Sequence, residues 1–145
     1  MKTARRQARE IAVQALYAWQ LSGGEPLEQV EAVDELGSKE LEFLKGIVGG
    51  VVSRAAELET RITPHLSRDF ARLSPVERAI LLIGAYELEA HPETPFKVVL
   101  NEAVELGKSF GGTDGYRFVN GVLEKIAAEV RPEEFAKTRT NPERI

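Results

Sequence analysis

The stretch SPVERAILLIGAYEL, residues 74–88, carries the strongest local structural signal in this chain of 145 residues. Ser74 is followed by Pro75 and then, three positions after the serine, by Glu77, which is the pattern of a capping box with proline at the first helical position. The apolar run from Ala79 to Tyr86 is too short to cross a bilayer. We therefore predict a helix that begins after Ser74 and ends before the next proline.

The remaining sequence has helical periodicity, and no segment alternates with period two for long enough to predict a strand. Apolar residues between Leu41 and Ile62 recur every three or four positions, which predicts one long helix. Further helix starts are predicted after Thr3 as N-cap, near Pro26, after Ser38 as N-cap, at Pro95 and at Asp114. We expect a single all-α domain of about seven helices over residues 1–132. Residues 133–145 are expected to form a polar, flexible tail in which at most Phe135 docks.

Composition limits the class of protein. Hydrophobic residues make up 43% of the chain and charged residues 29%, which suits one globular domain with its own core. The chain contains no cysteine, so it forms neither disulfides nor thiolate metal sites. No apolar run is long enough for a membrane span, and no secretory signal pattern follows the basic start. These features predict a cytoplasmic protein.

Few residues are suited to catalysis. The only two histidines, His65 and His91, sit beside prolines in predicted loops, where we expect them on the surface. The chain has no glycine-rich phosphate loop after a strand. Carboxylate pairs with spacings found on any solvated helix are Glu87 with Glu89 and Glu102 with Glu105. We expect a protein that is not an enzyme and that needs no metal or cofactor.

Charge is unevenly distributed over a chain of net charge −4. Residues 1–20 have a net charge of +3, from four Lys or Arg and one Glu, whereas residues 21–45 have −5, from seven acids and two lysines. On a helical projection Arg5, Arg6 and Arg9 lie roughly opposite the core-type residues. They indicate either a site for a polyanion or a solvated face in which Arg6 pairs with Glu10.

Two apolar residues lie on the same outward side of this helix. Val13 and Tyr17 follow Arg9 at intervals of four residues, where a solvated helix needs no apolar side chains. Either another layer of the fold or a binding partner must cover them.

A second group of residues favours the polyanion hypothesis. The stretch GGTDGYRFVNG, residues 111–121, places Tyr116, Arg117 and Phe118 in the first turn of a helix after two glycines. Aromatic rings beside an arginine are typical of single-stranded RNA recognition, because bases stack on the rings while the guanidinium binds phosphate. The alternative is that Phe118 is an ordinary core residue, which leaves Tyr116 and Arg117 as candidates.

Four stretches together resemble the NusB family of bacterial transcription antitermination factors. They are ARRQAREIAVQALYAWQLS (4–22), VERAILLIGAYEL (76–88), PFKVVLNEAVELGKSFG (95–111) and RFVNGVLEK (117–125). The resemblance runs in order from residue 2 to about residue 132. It implies two three-helix bundles packed crosswise. It also implies binding to the boxA element of ribosomal RNA leader transcripts, together with ribosomal protein S10, in the antitermination complex on RNA polymerase.

The resemblance also assigns residues to two surfaces. The RNA surface of the family falls on Lys2, Arg5, Arg6, Arg9, Asp114, Arg117 and Phe118. The contact with S10 falls on Tyr17, Leu21 and Glu77, although Glu77 also has a complete account as the capping-box residue. The alternative function is a helical adaptor or homodimer that binds only protein and whose arginines merely keep it soluble.

Overall fold

A computed structural model describes residues 3–30, 36–110 and 115–139, without the side chains of residues 29, 138 and 139. The predicted positions Lys2 and Asp114 lie outside the described residues. Eight α-helices form within the described part: α1 Ala4–Ser22, α2 Pro26–Val30, α3 Ser38–Ser53, α4 Ala55–Ile62, α5 Pro75–Ala90, α6 Phe96–Phe110, α7 Gly115–Val130 and α8 Pro132–Arg139. Two short 3₁₀ turns, Thr63–His65 and Phe70–Arg72, connect α4 to α5. No strand occurs in these ranges, and the all-α prediction is confirmed.

The helices form two groups of three. Helices α1, α2 and α3 contact one another, and so do α5, α6 and α7. Helix α5 joins the groups because it also packs on α1, α3 and α4. Its residues from Ala79 to Ala85 are all buried, as the apolar run predicts.

Local capping signals define the helix starts that the sequence predicts best. The Thr3 hydroxyl accepts a hydrogen bond from the backbone N–H of Arg6 at 3.0 Å. At α5 the Glu77 N–H donates to Ser74 Oγ at 3.1 Å, and the Ser74 N–H donates to Glu77 Oε1 at 3.2 Å. Both predicted caps are confirmed, and the second is a complete capping box.

The predicted long helix over residues 38–62 is wrong in two details. Its N-cap is Gly37 rather than Ser38, and it is interrupted at Arg54, whose φ of −116° and ψ of 18° are not helical. The Arg54 side chain extends to α5, where its Nη2 donates a hydrogen bond to Glu89 Oε1 at 2.6 Å. Gly50 allows α5 to approach α3 closely, because a Cβ at this position would clash with the ring of Tyr86.

The end of the chain differs from the expected polar tail. Residues 132–139 form α8, and the Phe135 ring lies 5.4 Å from that of Phe96 at the start of α6. Glu134 Oε2 accepts the Phe96 N–H at 2.8 Å, and the buried Arg131 donates to the backbone oxygens of Leu88 and His91 at the end of α5. Phe135 docks, as the expectation allowed, but residues 133–139 are helical rather than an irregular tail, since the Phe135 ring packs on Phe96 and Glu134 caps the N-terminus of α6.

Candidate nucleic-acid interface

Arg9 is buried, in contrast to the prediction that it faces solvent. Its side chain is 5% exposed and forms a bidentate pair with Glu87 on α5, with Nε to Oε2 at 2.9 Å and Nη2 to Oε1 at 2.8 Å. Glu87 is 2% exposed. Both partners thus lie between α1 and α5, and Arg9 offers no free guanidinium face to a ligand.

The two charges stabilise each other against the cost of burial. Burial disfavours the charged form of Glu87, but the two hydrogen bonds from Arg9 and its positive charge outweigh it, with a contribution from the neighbouring His91, so the pKa of Glu87 is lowered. Burial likewise opposes the charge on Arg9, but its hydrogen bonds to Glu87 prevail and its pKa is raised. The pair is ionised in the folded protein and attaches the start of α1 to the central helix.

Arg6 is held by α6 but remains partly open. Its Nε and Nη2 donate to the Glu102 carboxylate at 3.1 and 2.8 Å, and Nη1 lies 3.9 Å from Glu105. The hydrogen bonds to Glu102, followed by its charge, raise the pKa of Arg6. The Arg6 side chain is 29% exposed, so part of its guanidinium faces solvent.

Arg5 has an aromatic contact with α3. Its guanidinium carbon lies 4.0 Å from the centre of the Phe43 ring on α3, within the range of a cation–π contact. In the part of the chain that the structure describes, no carboxylate lies within ion-pair distance of Arg5. The charge of Arg5 is therefore available to an anion.

A second set of candidates lies at the junction of α6 and α7. Tyr116 packs against Gly107, where a Cβ would lie 2.8 Å from the tyrosine Cβ. Lys108 Nζ is 5.3 Å from the centre of the Tyr116 ring, and Arg117 Nε donates to the Tyr116 hydroxyl at 3.3 Å. The Arg117 side chain is exposed, whereas Phe118 is half-buried against the core. Together these side chains combine an accessible aromatic ring with two cations.

The structure joins the two sets through α6. Arg6 reaches Glu105, Glu105 lies 3.6 Å from Lys108 Nζ, and Lys108 lies over Tyr116. We call the surface formed by Arg5, Arg6, Lys108, Tyr116 and Arg117 the cationic surface. It crosses α1, α6 and α7, of which α1 is distant in sequence from the other two.

The fold buries Val13 but leaves Tyr17 exposed. Val13 is 1% exposed and belongs to the core, whereas Tyr17 is 40% exposed and Leu21 is 59% exposed. The fold thus covers Val13 and leaves Tyr17 and Leu21 as an apolar patch. Glu77 lies beside the start of α7, since a Cβ at Gly115 would lie 3.2 Å from its Oε2.

Two acids and both histidines lie in surroundings that the sequence pattern does not predict, and the His65 side chain is only 15% exposed. Glu87 and Glu102 were expected on solvated faces, but they bind Arg9 and Arg6. His91 has a side chain only 20% exposed, with its ring 5.7 Å from that of Phe43. The available signal was that Glu87 occurs four residues after Ile83 on the apolar side of α5.

The described residues contain no group of three His, Asp or Glu side chains placed to hold a metal ion. Within the same ranges, no helix is long and apolar enough to cross a membrane.

The fold and these surfaces define an all-helical domain with a cationic surface at the start of α1 and a small exposed apolar patch towards the end of the same helix. The model of the NusB family matches residues 6–128, and the chain belongs to this family.

Relatives and solved structures agree with this assignment. The transcription antitermination protein NusB of Burkholderia lata is 51% identical over 141 residues, which cover 95% of this chain and 97% of that protein. The NusB protein of Bordetella pertussis is 49% identical over 140 residues, covering 92% and 91%.

The structure of T. maritima NusB superposes with a TM-score of 0.84 at 30% identity, covering 94% of this chain and 99% of the other. A crystal structure of the antitermination factors NusB and NusE in complex with dsRNA contains a chain that superposes with a TM-score of 0.77 at 30% identity, covering 89% and 99%.

Proposed function

We propose that this protein is a transcription antitermination factor that binds the boxA element of ribosomal RNA leader transcripts together with ribosomal protein S10. It acts by binding rather than by catalysis, in the cytoplasm, within the antitermination complex on RNA polymerase. The observation that carries the proposal is the cationic surface, which brings exposed cations and an aromatic ring together. Its likeness to a protein solved with NusE, which is S10, and RNA supports both partners.

RNA binding is assigned to the accessible members of the predicted site. Arg5, the open part of Arg6 and Arg117 bind phosphates, and Tyr116 stacks on a base, because a single strand exposes both backbone charge and ring faces. Phe118 supports this turn from its half-buried position. Arg9 is removed from direct contact and instead positions α1 through Glu87. Lys2 and Asp114 stay predicted RNA contacts.

The partner protein is assigned to the apolar patch. Tyr17 and Leu21 are large side chains left exposed beside α5, and Glu77 is half-exposed at the start of that helix. Burying such a patch in an interface removes apolar area from water. A bound S10 molecule also offsets the repulsion between RNA and a protein of net charge −4 if it contributes positive charge.

The test is an anisotropy titration of boxA-like and scrambled single-stranded RNA, with and without S10, over a range of salt concentrations. Arg117→Gln is expected to weaken boxA binding and to lower the salt slope of log K by about 0.7, the loss of one phosphate contact on a single strand. Lys97→Gln serves as the control, because it makes the same charge change on an exposed residue. Lys97 lies at the N-terminal end of α6, whereas Lys108 of the cationic surface lies at the C-terminal end.

The outcomes separate this function from the alternative. Preference for boxA over scrambled RNA, with an effect of Arg117→Gln and none of Lys97→Gln, supports the proposal. S10 binding or self-association without any RNA binding would instead identify a protein-binding adaptor or homodimer.

A further inference from the structure

A pair of arginines outside the cationic surface has no assigned role. Arg68 lies in the loop before the 3₁₀ turn Phe70–Arg72, and Arg72 ends that turn. Both side chains are exposed, and neither forms an ion pair within residues 3–30, 36–110 and 115–139. By contrast, Arg54 and Arg61, which precede this loop in the chain, both form ion pairs with Glu89.

Arg68 is next to the start of α7. Its guanidinium carbon lies 5.9 Å from the centre of the Phe118 ring, at the outer limit of a cation–π contact. Phe118 follows Arg117, the last member of the cationic surface. The Arg68 side chain therefore continues that surface across α7 and onto the loop.

The turn that presents these arginines is held in place from two directions. Arg78 on α5 donates from Nη1 to the Ala71 carbonyl oxygen at 2.8 Å and from Nε to Gln20 Oε1 on α1 at 2.7 Å. Gln20 in turn donates to the Pro75 carbonyl oxygen at 2.9 Å. A loop anchored in this way loses little conformational freedom when a ligand binds its side chains.

We propose that Arg68 binds a backbone phosphate of single-stranded RNA, and thereby extends the RNA path beyond Arg117 onto the loop before α5. This rests on the proposed function, because the same strand must already lie on the cationic surface. The Arg68 guanidinium has no ion pair among the described residues and lies next to the Phe118 ring. This arrangement suits a nucleic acid better than an acidic protein surface, because the guanidinium can bind a phosphate while the ring offers a face or edge to a base. The neighbouring Asp69 is exposed and forms no ion pair with Arg68.

The test compares Arg68→Gln with Lys97→Gln, which has the same change in net charge at a site remote from the loop. RNA strands of boxA length are used together with strands extended by several nucleotides at the 5′ or the 3′ end. For wild-type protein, one of the two extensions is expected to tighten binding. Arg68→Gln is expected to abolish that gain, about threefold to tenfold, and to lower the salt slope for the extended strand by about 0.7.

Further measurements distinguish phosphate binding from other roles. Arg68→Lys keeps the charge and is expected to retain most of the salt slope, whereas a role in packing on Phe118 would not be rescued in this way. The melting temperature of Arg68→Gln should equal that of Lys97→Gln, because the side chain is exposed. S10 affinity without RNA should also be unchanged.

Each contrary result has a distinct meaning. If Arg68→Gln binds the extended strand as tightly as wild type does, the inference is wrong while the proposed function stands. If Arg68→Gln weakens S10 binding in the absence of RNA, the loop contacts protein and the inference is wrong. If wild-type protein binds none of the RNA strands, the proposed function fails as well.

Discussion

Removing Arg9 is expected to destabilise the fold rather than to weaken RNA binding selectively. Arg9→Ala deletes both hydrogen bonds to Glu87, at 2.9 and 2.8 Å, and leaves a carboxylate whose side chain is 2% exposed. His91 Nδ1 lies 3.8 Å from Glu87 Oε1, beyond hydrogen-bond distance, and does not replace these two bonds. Breaking a buried ion pair on one side costs about 3–5 kcal/mol, because the other charge remains desolvated.

Urea unfolding followed by circular dichroism measures this loss of unfolding free energy. Arg61→Ala provides the control, since Arg61 is 38% exposed and binds Glu89 at 3.3 Å. An exposed pair of this kind contributes about 0–1 kcal/mol. The double variant Arg9→Met with Glu87→Leu should recover much of the stability, because apolar side chains replace both charges and no carboxylate remains unpaired.

The same pair predicts how stability depends on pH. The folded pKa of Glu87 lies below its ordinary value of 4.5, so the unfolded chain takes up a proton first as pH falls. The contribution of Glu87 is complete above about pH 4.5 and is lost as pH falls through the lower folded pKa. Glu87→Gln should therefore make stability less dependent on pH in that acidic range.

One result would refute this reasoning about Arg9. If Arg9→Ala unfolds with the same free energy as Arg61→Ala but binds RNA more weakly with a reduced salt slope, Arg9 is a surface phosphate contact. The conclusion that the Arg9 side chain is buried between α1 and α5 would then be wrong.

Two further predictions concern the exposed patch and the core. Tyr17→Asp should abolish S10 association, because a carboxylate would be desolvated in the interface, and should leave the melting temperature nearly unchanged, because Tyr17 is 40% exposed. Calorimetric titration measures the association and thermal unfolding measures the stability. Loss of the fold would show that Tyr17 is a core residue. Gly84→Ala should destabilise the protein by about 1–3 kcal/mol, because its Cβ would lie 2.6 Å from Cδ1 of the buried Leu123. Gly121→Ala is the control, because a Cβ there meets no described atom within 4 Å, and it should stabilise α7 by up to about 1 kcal/mol. Denaturant unfolding measures both variants. Equal gains in stability from the two substitutions would contradict the clash at Gly84.

The caps and the buried central helix could be predicted from the sequence. The Thr3 cap and the Ser74–Glu77 capping box each join residues three positions apart, so helical geometry alone brings their atoms together. The apolar run of α5 likewise predicts burial without reference to any other helix. The resemblance of four stretches to one family was enough to assign the family, which the match over residues 6–128 confirms.

The tertiary structure decided which charges remain free. Arg5 and Arg9 are one helical turn apart and look equivalent on a helical projection, yet Arg9 is buried and Arg5 retains no ion pair among the described residues. The difference arises from Glu87, which is 78 positions away in the chain and reaches Arg9 only because α5 packs against α1. A local pattern specifies where a helix begins and which side is apolar, but the partner of a charge depends on a helix from elsewhere in the chain, so the pairing appears only when the helices pack.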